Sequence, residues 1–107
     1  MEIRVEAGSF STVPMIQLAH KAVGELAQGK QLPLLIIAEK DATLDTEAMA
    51  YMAREDSNPY SSAEAVLIFS ISQKLLGNFY LRFNKPQKPT KVFTKMDAAL
   101  DWLEQFK

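Results

Sequence analysis

Two segments constrain the fold of this chain more than any other feature: Leu32-Pro-Leu-Leu-Ile-Ile-Ala38 and Ala65-Val-Leu-Ile-Phe69. Neither contains a charged residue or a hydroxyl. A strand with one wet face alternates apolar and polar residues. An unbroken apolar run of this length therefore reads as a strand buried on both faces, the mark of a central member of a parallel sheet. Each run is followed by a segment of helical periodicity, so strands and helices alternate.

The rest of the chain repeats that alternation. Residues 3–7 (Ile-Arg-Val-Glu-Ala) alternate with period two and predict a short strand, ended by Gly8. Ser11 or Thr12 can cap the next helix, Pro14 suits its first turn, and Gly29 closes it. Ile16, Ala19, Val23 and Leu26 are its expected buried stripe. A second helix is predicted over residues 46–54 with Asp45 as cap, then turn chemistry over residues 57–62. After residues 65–69, Ser70 or Ser72 opens a third helix carrying Leu75, Leu76, Phe79, Tyr80 and Phe83. Gly77 within it costs about 1 kcal/mol against Ala, a cost that close packing on the sheet would explain, with a hinge as the other possibility. Pro86 and Pro89 stop that helix, and residues 90–93 form the last strand. Thr94 then caps a helix with Asp97 placed as in a capping box and Ala99, Leu100, Leu103 and Phe106 as its apolar stripe.

Four such strand–helix units predict an α/β domain spanning residues 1–107, a mainly parallel β-sheet with packed helices in a two-layer sandwich. Length fits one domain, and 48% hydrophobic residues suffice for a core. The chain has no cysteine, which excludes disulfides, thiolate catalysis and Cys-ligated zinc. Residues 1–6 alternate and lack the apolar core of a signal peptide, and the longest apolar run is far too short to span a bilayer. A cytoplasmic protein without a membrane partner is the expectation.

The order of elements, together with Lys74-Leu-Leu-Gly-Asn-Phe-Tyr80, the segment Phe83-Asn-Lys-Pro-Gln-Lys-Pro-Thr-Lys-Val-Phe93 and Ala99-Leu-Asp-Trp-Leu103, resembles small bacterial STAS-like proteins. These are relatives in fold of anti-sigma-factor antagonists. The resemblance covers nearly the whole chain and is most specific from Ala65 onward. It implies a β-α superhelix and a role in protein–protein regulation. Regulatory members carry a phosphorylated Ser or Thr in an Asp-Ser-Ser/Thr-Gly-like segment after the second core strand. Here that region reads Glu39-Lys-Asp-Ala-Thr-Leu-Asp-Thr-Glu47. Thr43 and Thr46 are its only hydroxyls, and phosphate on either would face Asp41, Asp45 and Glu47, which repel it. Members usually open with a β-hairpin, whereas this chain begins inside the second arm, which would leave a sheet edge open to another copy or a partner strand.

Residues that could carry chemistry are few. His20 is the only histidine and borders the first helix's buried stripe, a structural position more than a catalytic one. Acid pairs such as Glu39/Asp41, Asp45/Glu47 and Glu55/Asp56 match no Ca²⁺ loop and read as solvated helix ends. The four glycines are too scattered for a phosphate loop, and no serine has an identifiable base. Met49, Tyr51 and Met52 read as plain core, with a ligand-lining wall as the other possibility.

Charge, by contrast, is strongly segregated. Net charge is 0 over residues 1–38, −5 over residues 39–64 and +4 over residues 65–107. Arg82, Lys85, Lys88, Lys91 and Lys95 surround a Pro-stiffened loop that suits an anion or an acidic protein face, with solubility and edge protection by lysine as the other reading. Tyr80, Phe83 and Phe93 fall in the core periodicity and so offer no base-stacking platform; no nucleic-acid partner is expected. The residues expected to meet a partner are thus Thr43, Asp45, Thr46, Arg82, Lys85, Lys88 and Lys91. With no catalytic set and no cofactor motif, the sequence points to a non-enzymatic interaction module, binding a protein partner or a second copy as a homodimer. The alternative is a carrier or sensor of a small lipid-like ligand held between the sheet and a helix.

Overall fold

A computed structural model describes residues 2–28, 30–54 and 60–107. Its centre is a four-stranded parallel sheet in the order β1 (Glu2–Val5), β3 (Leu32–Ala38), β5 (Ser61–Leu67), β6 (Thr90–Phe93). The two strands flagged by their apolar runs are its central neighbours, with Leu35 opposite Ala65 and Ile37 opposite Leu67. A separate parallel ladder joins β2 (Phe10–Ser11) to β4 (Thr43–Leu44).

Four helices complete the alternation: α1 (Val13–Ala27), α2 (Thr46–Ala53), α3 (Ile71–Phe79) and α4 (Met96–Leu103). A wider π turn, Tyr80–Asn84, extends α3, and a 3₁₀ turn, Glu104–Phe106, extends α4. Strand order in the main sheet follows chain order, so right-handed crossovers at each step place every connecting helix on the same face. The core agrees. Leu34, Ile36 and Val66 meet Val23 of α1 and Met52 of α2 on that face. Met49 and Ala53 of α2 pack with Leu76 of α3 and with Tyr80. Only α4, which follows the last strand, reaches the opposite face, where Ala99, Trp102 and Leu103 lie on Leu35, Ile37, Ala63, Ala65 and Leu67. Among the described residues no helix is long and apolar enough to cross a membrane.

Local signals explain most boundaries. Asp45 caps α2, its carboxylate accepting the Ala48 N–H at 2.7 Å. Ser70 caps α3 through the Gln73 N–H at 3.2 Å. Pro14 occupies the first turn of α1, as expected. A methyl on Gly77 would lie 3.0 Å from a Val92 methyl, so this glycine does bring α3 close to β6. Gly24 has the same role on α1, since a Cβ there would lie 2.5 Å from the Tyr60 ring.

Other boundaries differ from expectation. β5 begins at Ser61, inside the segment read as a turn, because Ser61 and Glu64 are buried yet satisfy one another, the hydroxyl donating to the Glu64 carboxylate at 2.8 Å. Phe69 falls beyond the strand and is exposed. The cap of α4 is Lys95 rather than Thr94, without a side-chain bond, and Asp97 accepts only the neighbouring Ala98 N–H. In α4 it is Trp102 that packs inward, while Leu100 is exposed. In α1 the buried stripe runs through His20, Val23 and Ala27, and Leu26, one position from Ala27, is turned to solvent. The backbone of Gln28 is left-handed at the end of α1. Gly29, expected to end that helix, the pair Glu55/Asp56 and residues 57–59 of the expected turn lie outside the described residues.

Candidate functional site

The residues expected to meet a partner do not form one site. Thr43, Asp45 and Thr46 follow β3 and stand at the carboxyl end of the sheet. Thr43 is half-buried in β4, Asp45 is occupied as the α2 cap, and Thr46 is exposed in the first turn of α2. Arg82, Lys85 and Lys88 precede β6 and so stand at the amino end. Lys91 lies within β6 on the face that α4 covers, its ammonium 5.5 Å from the centre of the Phe93 ring. Arg82 lies over Phe83 at 5.6 Å on the other face, and Lys85 is exposed with a left-handed backbone. The basic residues are therefore divided between two faces.

Lys88 turns inward. Its ammonium donates to the Ser61 hydroxyl at 3.0 Å, which in turn donates to Glu64. Glu64 is 4% exposed on a central strand, so this relay brings a positive charge towards a carboxylate that the fold has removed from water. Tyr80 is buried nearby. Desolvation first, and the charge of Glu64 second, hold its phenol well above the ordinary tyrosine range.

A second buried polar group, Gln73, ties α3 to the segment after β3. Its amide nitrogen lies within reach of the carbonyls of Glu39 at 2.6 Å, Ala42 at 3.1 Å and Ala38 at 3.2 Å, which share its two N–H groups, while its oxygen accepts the Phe69 N–H at 2.8 Å. These backbone groups lie at the end of β3 and in the irregular segments that follow β3 and β5, and Gln73 supplies them with partners. The polarity of this residue, set between apolar helix positions, is the only sequence trace of that function.

The consequence for α3 is large. With Gln73, Leu76 and Tyr80 facing inward, the remaining apolar side chains of the helix face out. Ile71, Leu75, Phe79 and Phe83 recur at steps of four and are 80%, 67%, 45% and 64% exposed. The expectation that Phe83 belongs to the core is thus corrected. The π turn keeps Phe83 in line with the ridge, its ring 4.7 Å from that of Phe79.

On the same sheet face, α1 does not close fully over β1 and β3. A cleft of about 330 Å³ remains there, with the apolar side chains Ile16, Ala19, Leu34 and Ile36 in its walls. His20 borders it, its ring stacked on Tyr51 with centroids 6.0 Å apart. A smaller pocket of about 90 Å³ adjoins it beneath α2 and α3.

A family profile, a domain of unknown function designated DUF7793, matches residues 1–107. The chain belongs to the DUF7793 family. No curated protein and no solved structure matches it. The geometry of this DUF7793 domain itself must therefore carry any functional reading.

Proposed function

We propose that this chain is a non-enzymatic, STAS-like protein-interaction module of the bacterial cytoplasm, and that the outward side of α3 is its contact surface. One observation carries the reading: α3 presents its apolar ridge to solvent and buries a glutamine. In a domain with no use for that surface the opposite orientation would be favoured. Burying a large apolar side chain is worth about 1.5–3 kcal/mol, so the exposed parts of Ile71, Leu75, Phe79 and Phe83 represent about 5 kcal/mol of unclaimed transfer free energy. The succession of four apolar anchors along one helix side is the pattern of helix-in-groove and helix-on-helix recognition.

The charge around the ridge selects the partner. No acid occurs between Glu64 and Asp97, whereas Lys74 and Arg82 lie within the ridge's own span. An amphipathic partner helix with an acidic rim fits that surface. A symmetric dimer through the same side would bring the basic residues Lys74 and Arg82 of both copies together, and is disfavoured. The placement of the only histidine, stacked on Tyr51 beside an apolar cleft, supports a non-catalytic reading.

The test is site-specific photocrosslinking in native lysate, with the photoreactive residue at Phe79 and, as a control, at Leu100 of α4. Crosslinks confined to position 79, captured on an acidic amphipathic helix and lost in L75E, are the expected result. Equal labelling from both positions, or a purified protein that is already dimeric through α3, would overturn the assignment.

A further inference from the structure

The cleft beneath α1 is a site in its own right, independent of the ridge on α3. Its volume of about 330 Å³ lies in the range of small-molecule sites. The pocket of about 90 Å³ continues it, sharing Ala38, Ala42, Leu44, Met52 and Val66 as common walls. The space exists because the side chains that face it are small or flexible: Ala19 on α1, Ala38 at the end of β3, Ala42 after it, Met52 on α2. Leucines at the alanine positions would fill it.

Polar groups are few and gathered on one side. Ser11, on β2, is only 7% exposed and lines the cleft. A hydroxyl in the wall of the cleft can both donate to and accept from a bound polar group. His20 borders the same space. Arg4, Glu6, Ser9 and Thr43 also line it, and Arg4 is already paired with Glu39 and with Glu2 at 3.7 Å. An anionic head would meet Glu6 and find the guanidinium engaged, so the surroundings favour a neutral head.

We propose that this cleft binds a small neutral amphiphile, a medium-length hydrocarbon body with one hydroxyl or carbonyl head. The body lies along Leu34, Ile36 and Val66 towards the smaller pocket, and the head meets the Ser11 hydroxyl beside His20.

Methyl-labelled protein titrated with decanol, and separately with decanoate, tests this by nuclear magnetic resonance. Saturable shifts of the Leu34, Ile36, Leu44 and Val66 methyls with decanol, at least tenfold weaker binding of decanoate, and unmoved Ile71 and Leu75 methyls are expected. A19F should weaken decanol binding at least tenfold by occupying the space, and S11A severalfold by removing the hydroxyl. If A19F does not fold, A42L fills the shared wall from the other side and carries the same expectation. Shifts confined to Ile71 and Leu75, shifts that never saturate, or equal binding to wild type and the filled variant would overturn the site. Tighter binding of decanoate would overturn the neutral head.

Discussion

Replacing Lys88 by Met tests whether the inward-turned lysine stabilises the fold through Glu64. The substitution keeps a long apolar stem and removes the ammonium. Glu64, 4% exposed, then retains the Ser61 hydroxyl at 2.8 Å, while that hydroxyl loses its own donor, Lys88 Nζ at 3.0 Å. Removing one member of a buried ion pair costs about 3–5 kcal/mol. Lys88 is only half-buried and acts through a hydroxyl, so solvent screening lowers the expectation to about 2–3 kcal/mol. Urea unfolding followed by circular dichroism measures it directly. K91M, at an exposed position over Phe93, is the control and should stay within about 0.5 kcal/mol of wild type. The double variant E64Q/K88M lacks both charges and keeps an oxygen to accept from Ser61. It should be more stable than the sum of the single losses implies, by at least about 1 kcal/mol. If K88M proves as mild as K91M, or the double variant is simply additive, the relay contributes nothing and the reasoning fails.

Q73A removes the side-chain bonds to the Ala38, Glu39 and Ala42 carbonyls and to the Phe69 N–H, of which the Glu39 carbonyl keeps its bond from the Ala42 N–H, and should cost about 2–4 kcal/mol in the same unfolding assay; a loss below about 1 kcal/mol would contradict the clasp. D45A removes the α2 cap bond and should cost about 1 kcal/mol, whereas T94A should be neutral because α4 makes no side-chain cap bond; equal effects would refute this difference. Tyr80 is held above the usual range in the folded state, so the native protein retains a proton that the unfolded chain releases near about pH 10. Its contribution to stability is therefore intact below that pH and declines as pH rises past it. Y80F should flatten that alkaline decline, and a native-state tyrosinate titration showing Tyr80 ionising near about pH 10 would contradict it.

The sheet was largely legible because burial on both faces forbids polar residues, so β3 announced itself residue for residue, and β6 and the Asp45 cap followed from turn chemistry. The start of β5 was hidden for the converse reason. Ser61 and Glu64 look like surface residues, and only the tertiary partner Lys88, far along the chain, makes their burial tolerable. Periodicity also identified α1 and α3 as helices without showing which side meets the sheet. In α3 the apolar residues occupy two adjoining sides, and the choice between them is made by Gln73, whose backbone partners lie in a different segment. The exposed ridge follows from that choice, and no count of apolar residues could reveal it. The cleft is further still from the sequence, because its volume depends on how far α1 stands from β1 and β3.

That the outward side of α3 is a working surface is best tested by comparing methyl line widths of the labelled domain in dilute buffer and in native lysate. The account predicts selective, saturable broadening at Ile71 and Leu75, with Leu100 on α4 unchanged although it too is exposed. Identical widths in both media, or uniform broadening at all three positions, would contradict it.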